Sequence, residues 1–259
     1  MDNSRIKSII ASKKDCYFIS PHFDDMAYSA SMLASELSKT NRVIVVNVFT
    51  EAGNRPYTRA AKAWMHRCGY DDATQFFMDR NAEDKVALSS ITNQVIDLGF
   101  ADAPWRKKPG QFVNMLAKVF PEFGNIRWNF AYRYYTRKGD VAKADSYTFS
   151  QVTKRINEAI DDDNAEIFCP LGVGDHFDHL MARRACDALF DDPIYWADYP
   201  YVLDHKPLGI DKMSSFEYVG NPKVKQKIIG AYKTQYDAMF GSASPQIVSE
   251  RFYYKDIES

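Results

Sequence analysis

Residues 42–50, RVIVVNVFT, are β-branched almost throughout, and a strand of this kind suits a parallel sheet covered on both faces. CYFISPH (16–22) before it reads as a short buried strand. DMAYSASMLASELSK (25–39) places Met26, Ala30, Leu33, Ala34 and Leu37 on one helical face. Strand, helix and strand within about 35 residues form a βαβ unit, which needs a right-handed crossover and helices packed on the sheet. The alternation continues. TRAAKAWMHRCGY (58–70) reads as a helix stopped at Cys-Gly, and TQFFMD (74–79) and QVIDLGF (94–100) read as further strands. SQVTKRINEAIDDDN (150–164) is a helix with a Ser cap, EIFCPLG (166–172) a strand and HLMARRACDALF (179–190) a helix carrying Ala182, Ala185, Cys186 and Leu189 on one side. PIYWADYPYV (193–202) adds a strand and PKVKQKIIGAYKTQYDAMF (222–240) a late helix. The pattern predicts an α/β fold, a Rossmann-like, doubly wound, mostly parallel sheet with helices on both faces.

With 259 residues and no repeat, linker or low-complexity tract, one domain spanning 1–259 is expected. Residues 103–150 break the alternation. They hold eleven aromatics, among them Trp105, Trp128, Tyr132, Tyr134 and Tyr135, and nine Lys or Arg against three acids. This aromatic and basic stretch reads as an insertion over one sheet edge, either a surface that binds a sugar nucleotide or phosphorylated glycoside, or a lid or homo-oligomer contact whose aromatics pack internally.

Lys plus Arg (33) nearly balances Asp plus Glu (34), so no whole-protein field for nucleic acid or a membrane surface exists and neither is an expected partner. No window approaches the roughly 18 apolar residues of a membrane span, and MDNSRIKSIIASKK lacks the apolar region of a signal peptide, so a cytoplasmic location is expected. Cys16, Cys68, Cys169 and Cys186 have no CxxC spacing, which excludes a thiolate zinc knuckle and argues against a disulfide framework.

Two turns carry the candidate chemistry. His22-Phe23-Asp24-Asp25 sits at the carboxyl end of the first strand, where open α/β sheets place their ligand crevices. A helix cap explains one carboxylate there but not two with a histidine. Asp175-His176-Phe177-Asp178-His179 sits at another strand end and also opens a helix. Three of the five histidines fall in these two turns, which a doubly wound sheet brings to one crevice. Their nitrogen and oxygen donors suit a divalent ion, zinc first, with more groups than the three that a catalytic zinc needs. The surplus is available as acid, base and outer support. GVGDHF (172–177) begins like a dinucleotide-binding loop but has Phe177 where the third glycine belongs, which disfavours a nicotinamide or flavin enzyme.

PHFDDM resembles the AHPDDE signature, and HFDH the HPDH signature, of the PIG-L/LmbE family of zinc-dependent N-deacetylases that act on N-acetylglucosaminyl and related substrates. TRAAKAWMHRCGY, LGFADAPW and KIIGAYKTQ are weaker echoes, of the family's Arg-bearing helix, its Leu-Gly-Phe-x-Asp turn and its late Lys-to-Gln helix. The resemblance implies His22, Asp25 and His179 as Zn2+ ligands and Asp24 as general base. His176 is then the imidazole that stabilises the oxyanion or protonates the leaving amine, and Asp178 steers a histidine. Arg59 and Asp102 fall where the family contacts substrate. Phe23 and Phe177 replace the usual prolines, and Met26 replaces the glutamate of the first signature; none of these is a ligand, so the ligand geometry is expected to survive.

The implied activity is hydrolysis of an N-acyl amide, acetyl first, on a small-molecule amino sugar, sugar nucleotide or glycoside. Two rivals stay open: an amidohydrolase acting on another acyl or carbamoyl amide, and a non-catalytic carbohydrate- or nucleotide-binding homologue. Metal content separates the second rival from an enzyme.

Overall fold

The computed structural model describes residues 4–107, 111–124, 138–174, 176–207, 209–241 and 249–255. In chain order its elements are α1 (Ser4–Ser12), β1 (Cys16–Ser20), α2 (Asp25–Leu37), β2 (Val43–Asn47), α3 (Arg59–Arg67), α4 (Ala73–Leu88), β3 (Val95–Asp97), α5 (Gln111–Val119) and α6 (Pro121–Gly124). Then come α7 (Ser146–Ala159), β4 (Glu166–Pro170), α8 (Phe177–Leu189), β5 (Ile194–Trp196), β6 (Met213–Tyr218), α9 (Pro222–Ile229), α10 (Lys233–Phe240) and β7 (Glu250–Lys255).

The strands form one seven-stranded sheet in the order β3-β2-β1-β4-β5-β7-β6. The first five run parallel, with Phe18 opposite both Val45 and Phe168, and β7 and β6 complete the edge antiparallel. Side chains of a strand alternate between faces. Phe18, Val45, Phe168 and Trp196 therefore enter one core with Met26, Ala30 and Leu33 of α2. Tyr17, Ile19, Ile44 and Cys169 enter the other, with Ile156 of α7 and Met181 and Ala185 of α8. Each fully buried large apolar side chain stabilises the fold by about 1.5–3 kcal/mol, and both faces are filled this way. The expected doubly wound α/β architecture is the one observed.

A third, smaller core lies beyond the strand ends, built from Phe23, Ala61, Met65, Phe76, Phe77 and Trp105. Here the sequence reading needs correction. TQFFMD is not a strand but the first half of α4: Asp72 caps the helix by accepting the Gln75 N–H, and Ala73, Phe76, Phe77, Arg80, Asp84, Ala87 and Leu88 form its buried stripe. The aromatic pair has strand propensity locally, but its three-and-four spacing with Arg80 and Asp84 decides for the helix. The late helix is two helices, broken between Ile229 and Lys233, and the strand begun at Ile194 stops at Trp196. α1 and the β6/β7 pair were not expected from the sequence.

Glu250, at the start of β7, reaches under α2. Its carboxylate accepts the Met32 and Leu33 N–H groups, each at 2.9 Å, and Lys225 Nζ of α9 at 3.1 Å. The helix that begins at Asp25 is thereby tied to the antiparallel edge of the sheet.

Candidate metal centre

The crevice lies where neighbouring strands β1 and β4 send their chains to helices on opposite faces, α2 and α8. In an open α/β sheet this switch point is the ligand position. At the end of β1, Ser20 Oγ donates to the His22 carbonyl at 2.6 Å and accepts the Met26 N–H at 3.1 Å, closing the turn into α2. Asp25 Oδ2 accepts the His22 N–H at 2.8 Å and lies 2.9 Å from His22 Nδ1. Asp24 occupies the N-cap position of α2, yet its side chain makes no cap bond. Its Oδ2 instead accepts from Gln235 Nε2 of α10 at 2.8 Å, with Arg80 Nη2 4.0 Å from Oδ1. The carboxylate pair is therefore not spent on the helix terminus.

At the end of β4 the chain turns through Gly172 and Gly174, at φ +82° and +88°, and a Cβ on Gly174 would lie 2.8 Å from the Tyr201 side chain. His176 caps α8, its Nδ1 accepting the Asp178 N–H at 3.4 Å. Asp178 is fully buried: Oδ1 accepts from Arg106 Nη1 at 2.5 Å, and Oδ2 accepts the Ala103 N–H at 2.9 Å and lies 3.2 Å from His22 Nε2. His179 Nδ1 lies 2.6 Å from Asp198 Oδ1, while Asp198 Oδ2 accepts the N–H groups of Gly172 and Val173. A carboxylate that holds Nδ1–H fixes the tautomer and leaves the Nε2 lone pair free to bind a metal. The three imidazole rings gather closely, with His176 5.1 Å from His22 and 4.9 Å from His179 between centroids.

Ligand atoms of His22, Asp25 and His179 all lie within 4.8 Å of one another. Among the described residues His179 Nε2 is buried without a hydrogen-bond partner, 3.3 Å from Asp25 Oδ2. Two ligands of a tetrahedral zinc with bonds of 2.0–2.1 Å stand about 3.3–3.4 Å apart, so this spacing fits. The second half of the fit is charge. Burial works against a protonated His179, but Asp25 and Asp198 outweigh it and push the imidazole up to about 10. Burial likewise disfavours charge on His22, and Asp102 and Asp25 hold its pKa well above the ordinary value. The carboxylates that hold a proton on these rings also favour a cation in the proton's place. His176 is different: burial, then His179 and His22, bring it down to about 3, so it is neutral. Asp24 is raised by burial and by the Asp25 charge, against Arg80.

The residues expected from the sequence at His22, Asp24, Asp25, Asp102, His176, Asp178 and His179 come together here; Asp102 Oδ1 is 3.5 Å from His22 Nε2. Asp175 lies outside the described residues. Arg59 does not join them: it is exposed, and its N–H donates to Glu122 of α6. The arginine beside Asp102 is Arg80, buried under Phe23, Phe76 and Phe77, with Nη1 3.7 Å from Asp102 Oδ2. Reading 74–79 as a strand concealed it. Asp198 and Arg106 were also missed, and Gln235, the last residue of KIIGAYKTQ, had no role assigned; Asp198 carried a signal, an acid directly after a buried run (PIYWAD). The start of the stretch from 103 packs into the fold. Ala103 and Arg106 hold Asp178, and Trp105 is buried in the third core. Trp128, Tyr132, Tyr134 and Tyr135 lie outside the described residues.

A cavity of about 590 Å³ opens onto this cluster, lined by His22, Asp24, Asp25, Asp102 and His176 at its floor and by Trp64, Arg67 and Met239 toward its rim. Asp198→Asn tests the support of the floor. Asn accepts the same backbone N–H groups but exerts no charge on His179, and zinc affinity, measured against a chromophoric chelator, is expected to fall about 10- to 100-fold.

No family model and no curated protein sequence matches the chain. Among the described residues, no helix is long and apolar enough to cross a membrane. Solved structures do match. A deacetylase of the teicoplanin biosynthesis pathway aligns with a TM-score of 0.71 at 19% identity, over 95% of this chain and 100% of that one. The zinc-inhibited form of teicoplanin deacetylase aligns with a TM-score of 0.72 at 18% identity, over 95% and 100%. An antimicrobial pseudoaglycone deacetylase gives 0.63 at 18% identity, over 94% and 97%. Across nearly its whole length the chain has the mixed α/β fold of these deacetylase structures.

Proposed function

We propose that this chain is a divalent-metal-dependent N-deacetylase of the PIG-L/LmbE type, acting on an N-acetylated amino sugar, sugar nucleotide or glycoside. One observation carries the reading: His22, Asp25 and His179 converge at the switch point with Asp24, a carboxylate that caps nothing, beside them. The fold shared with deacetylase structures supports it. Zinc bound by these three residues supplies a polarised carbonyl and a water whose pKa is lowered toward about 7.

The protein groups divide the remaining work. Asp24 accepts the proton of the attacking water, and its raised pKa moves it toward the range in which a base works near neutrality. His176 accepts the Asp178 N–H at Nδ1, so its proton sits on Nε2; as a neutral donor it holds the oxygen that becomes negative as water adds to the carbonyl carbon. When the C–N bond breaks, the proton taken by Asp24 returns to the departing amine. Asp178 fixes the ring of His22 and Asp198 that of His179. Asp102 and Arg80 face the substrate from the cavity wall, and Arg67 and Trp64 at the rim offer a cation and an aromatic face to a glycoside.

Amine release from a panel of N-acetylated sugars, sugar nucleotides and aminoglycoside precursors tests this reading. Release that a chelator stops and zinc restores is expected for at least one member. Release that persists after complete metal removal contradicts it.

A further inference from the structure

Next to the site lies a set of buried polar groups that the chemistry above does not use. Asp84, on α4, is 1% exposed; its Oδ2 accepts from Asn47 Nδ2 at 2.9 Å, and its Oδ1 lies 2.7 Å from Tyr232 Oη. Tyr232 is equally buried, just before α10, and its Oη is also 3.2 Å from the carbonyl oxygen of Phe23. Phe23 is the residue between His22 and Asp24. A phenol carries one hydrogen, and a carbonyl and an ionised carboxylate both only accept. With Asp84 ionised, Tyr232 has two acceptors and one proton, so one buried contact goes unmade. With Asp84 protonated, its Oδ1–H donates to Tyr232 and Tyr232 donates to Phe23, and both contacts are hydrogen bonds.

We infer that Asp84 and Tyr232 are positioning residues, a hydrogen-bond chain from α4 through the phenol to the Phe23 carbonyl that holds the His22–Asp25 turn in its ligand-binding geometry. The inference rests on the metal-centre reading of that turn. The same end of α10 is seated on α4 by Thr234, whose N–H and hydroxyl donate to Glu83, and on the turn by Gln235, which donates to Asp24. The chain therefore spans two surfaces already fastened together, a short and rigid path. Burial is the main cause that pushes Asp84 up to about 8; Tyr232 and Asn47 oppose it, and the Asp97 and Asp24 carboxylates add to it. Those are the groups facing it from β3, β2, the turn after β1 and the segment before α10, with Arg80 one turn earlier on its own helix.

The test compares wild type, Tyr232→Phe and Asp84→Asn. Asn matches Asp in shape and keeps an N–H donor at every pH, so it stands in for the protonated carboxyl. At pH 7, Tyr232→Phe, which deletes only the hydroxyl, is expected to bind zinc about tenfold more weakly, and Asp84→Asn within about threefold of wild type. Melting temperatures of the metal-free proteins from pH 5 to pH 9 supply the second reading. A carboxyl whose folded pKa is raised binds more protons folded than unfolded, so its contribution to stability declines as pH climbs from the unfolded value and levels off above the folded one. Asp84→Asn should gain on wild type up to about pH 8 and hold that gain above it.

A folded Tyr232→Phe protein with wild-type zinc affinity overturns the inference, as does a tenfold weakening in Asp84→Asn or a melting difference that is constant with pH. Should Tyr232→Phe fail to fold, the pH dependence of the melting difference between Asp84→Asn and wild type decides alone. Wild-type protein that binds zinc yet releases no amine from the panel contradicts the deacetylase reading and leaves this comparison standing, because it is read on zinc and on melting alone. Wild-type protein without zinc affinity overturns both.

Discussion

Asp24→Ala is expected to bind zinc as the wild type does and to lose about 10²- to 10⁴-fold in turnover, the range that a positioned general base contributes. The reasoning starts from what Asp24 does not do. It occupies the N-cap position of α2, where a carboxylate is favoured by the helix terminus, yet its side chain makes no cap bond. Its partners are Gln235 and, at 4.0 Å, Arg80, and it borders the cavity beside Asp25. Buried carboxylates side by side repel, and the structure resolves this by unequal surroundings. Asp25 is disfavoured by burial but held well below the ordinary range by His179 and His22, whereas Asp24 is raised. Such a split separates a metal ligand, which must stay ionised, from a base, which must gain a proton. Bound zinc and residual turnover, measured on one preparation, decide it; an Asp24→Ala enzyme with full turnover removes Asp24 from the mechanism.

His179→Ala should lose both. It removes the donor whose Nε2 is, among the described residues, buried without a partner, and it leaves Asp198 bonded to the Gly172 and Val173 N–H groups. Loss of an outer partner costs about 10- to 100-fold in metal affinity, and loss of the ligand itself should exceed that range. Equilibrium dialysis against zinc, with amine release on the same samples, should show affinity reduced more than 100-fold and turnover at background. The contrast with Asp24→Ala gives the pair its force: one substitution separates metal from activity and the other removes them together.

Much of this was legible in the residues. β-branched runs and three-and-four spacing gave the parallel strands and the helices between them, because both patterns report burial on two faces of a sheet. His22, Asp24, Asp25, His176, Asp178 and His179 were legible because strand-to-helix turns at a switch point must converge. What was not legible depended on contacts distant in sequence. Asp198 reaches His179 only because β5 lies beside β4, and Gln235 reaches Asp24 across 211 residues. Arg80 was hidden by a local error, since Phe76 and Phe77 have strand propensity and only the spacing through Asp84 shows a helix face. Arg59 was assigned from a helix that does run beside the cavity, but Ala60, Ala63, Trp64 and Arg67 of that helix line it and Arg59 does not. Phe23, where the resembled signature has proline, packs with Trp105 and Phe76 in the third core, which holds its turn by burial.

Whether His22, Asp25 and His179 hold one catalytic divalent ion is decided by titrating metal-stripped protein with zinc while following amine release. Expected are no release from the stripped protein, a linear rise to a plateau at one zinc per chain in the wild type, and no rise in His179→Ala over the same zinc range. Full release without metal, or a His179→Ala protein that regains activity at the same stoichiometry, contradicts that assignment.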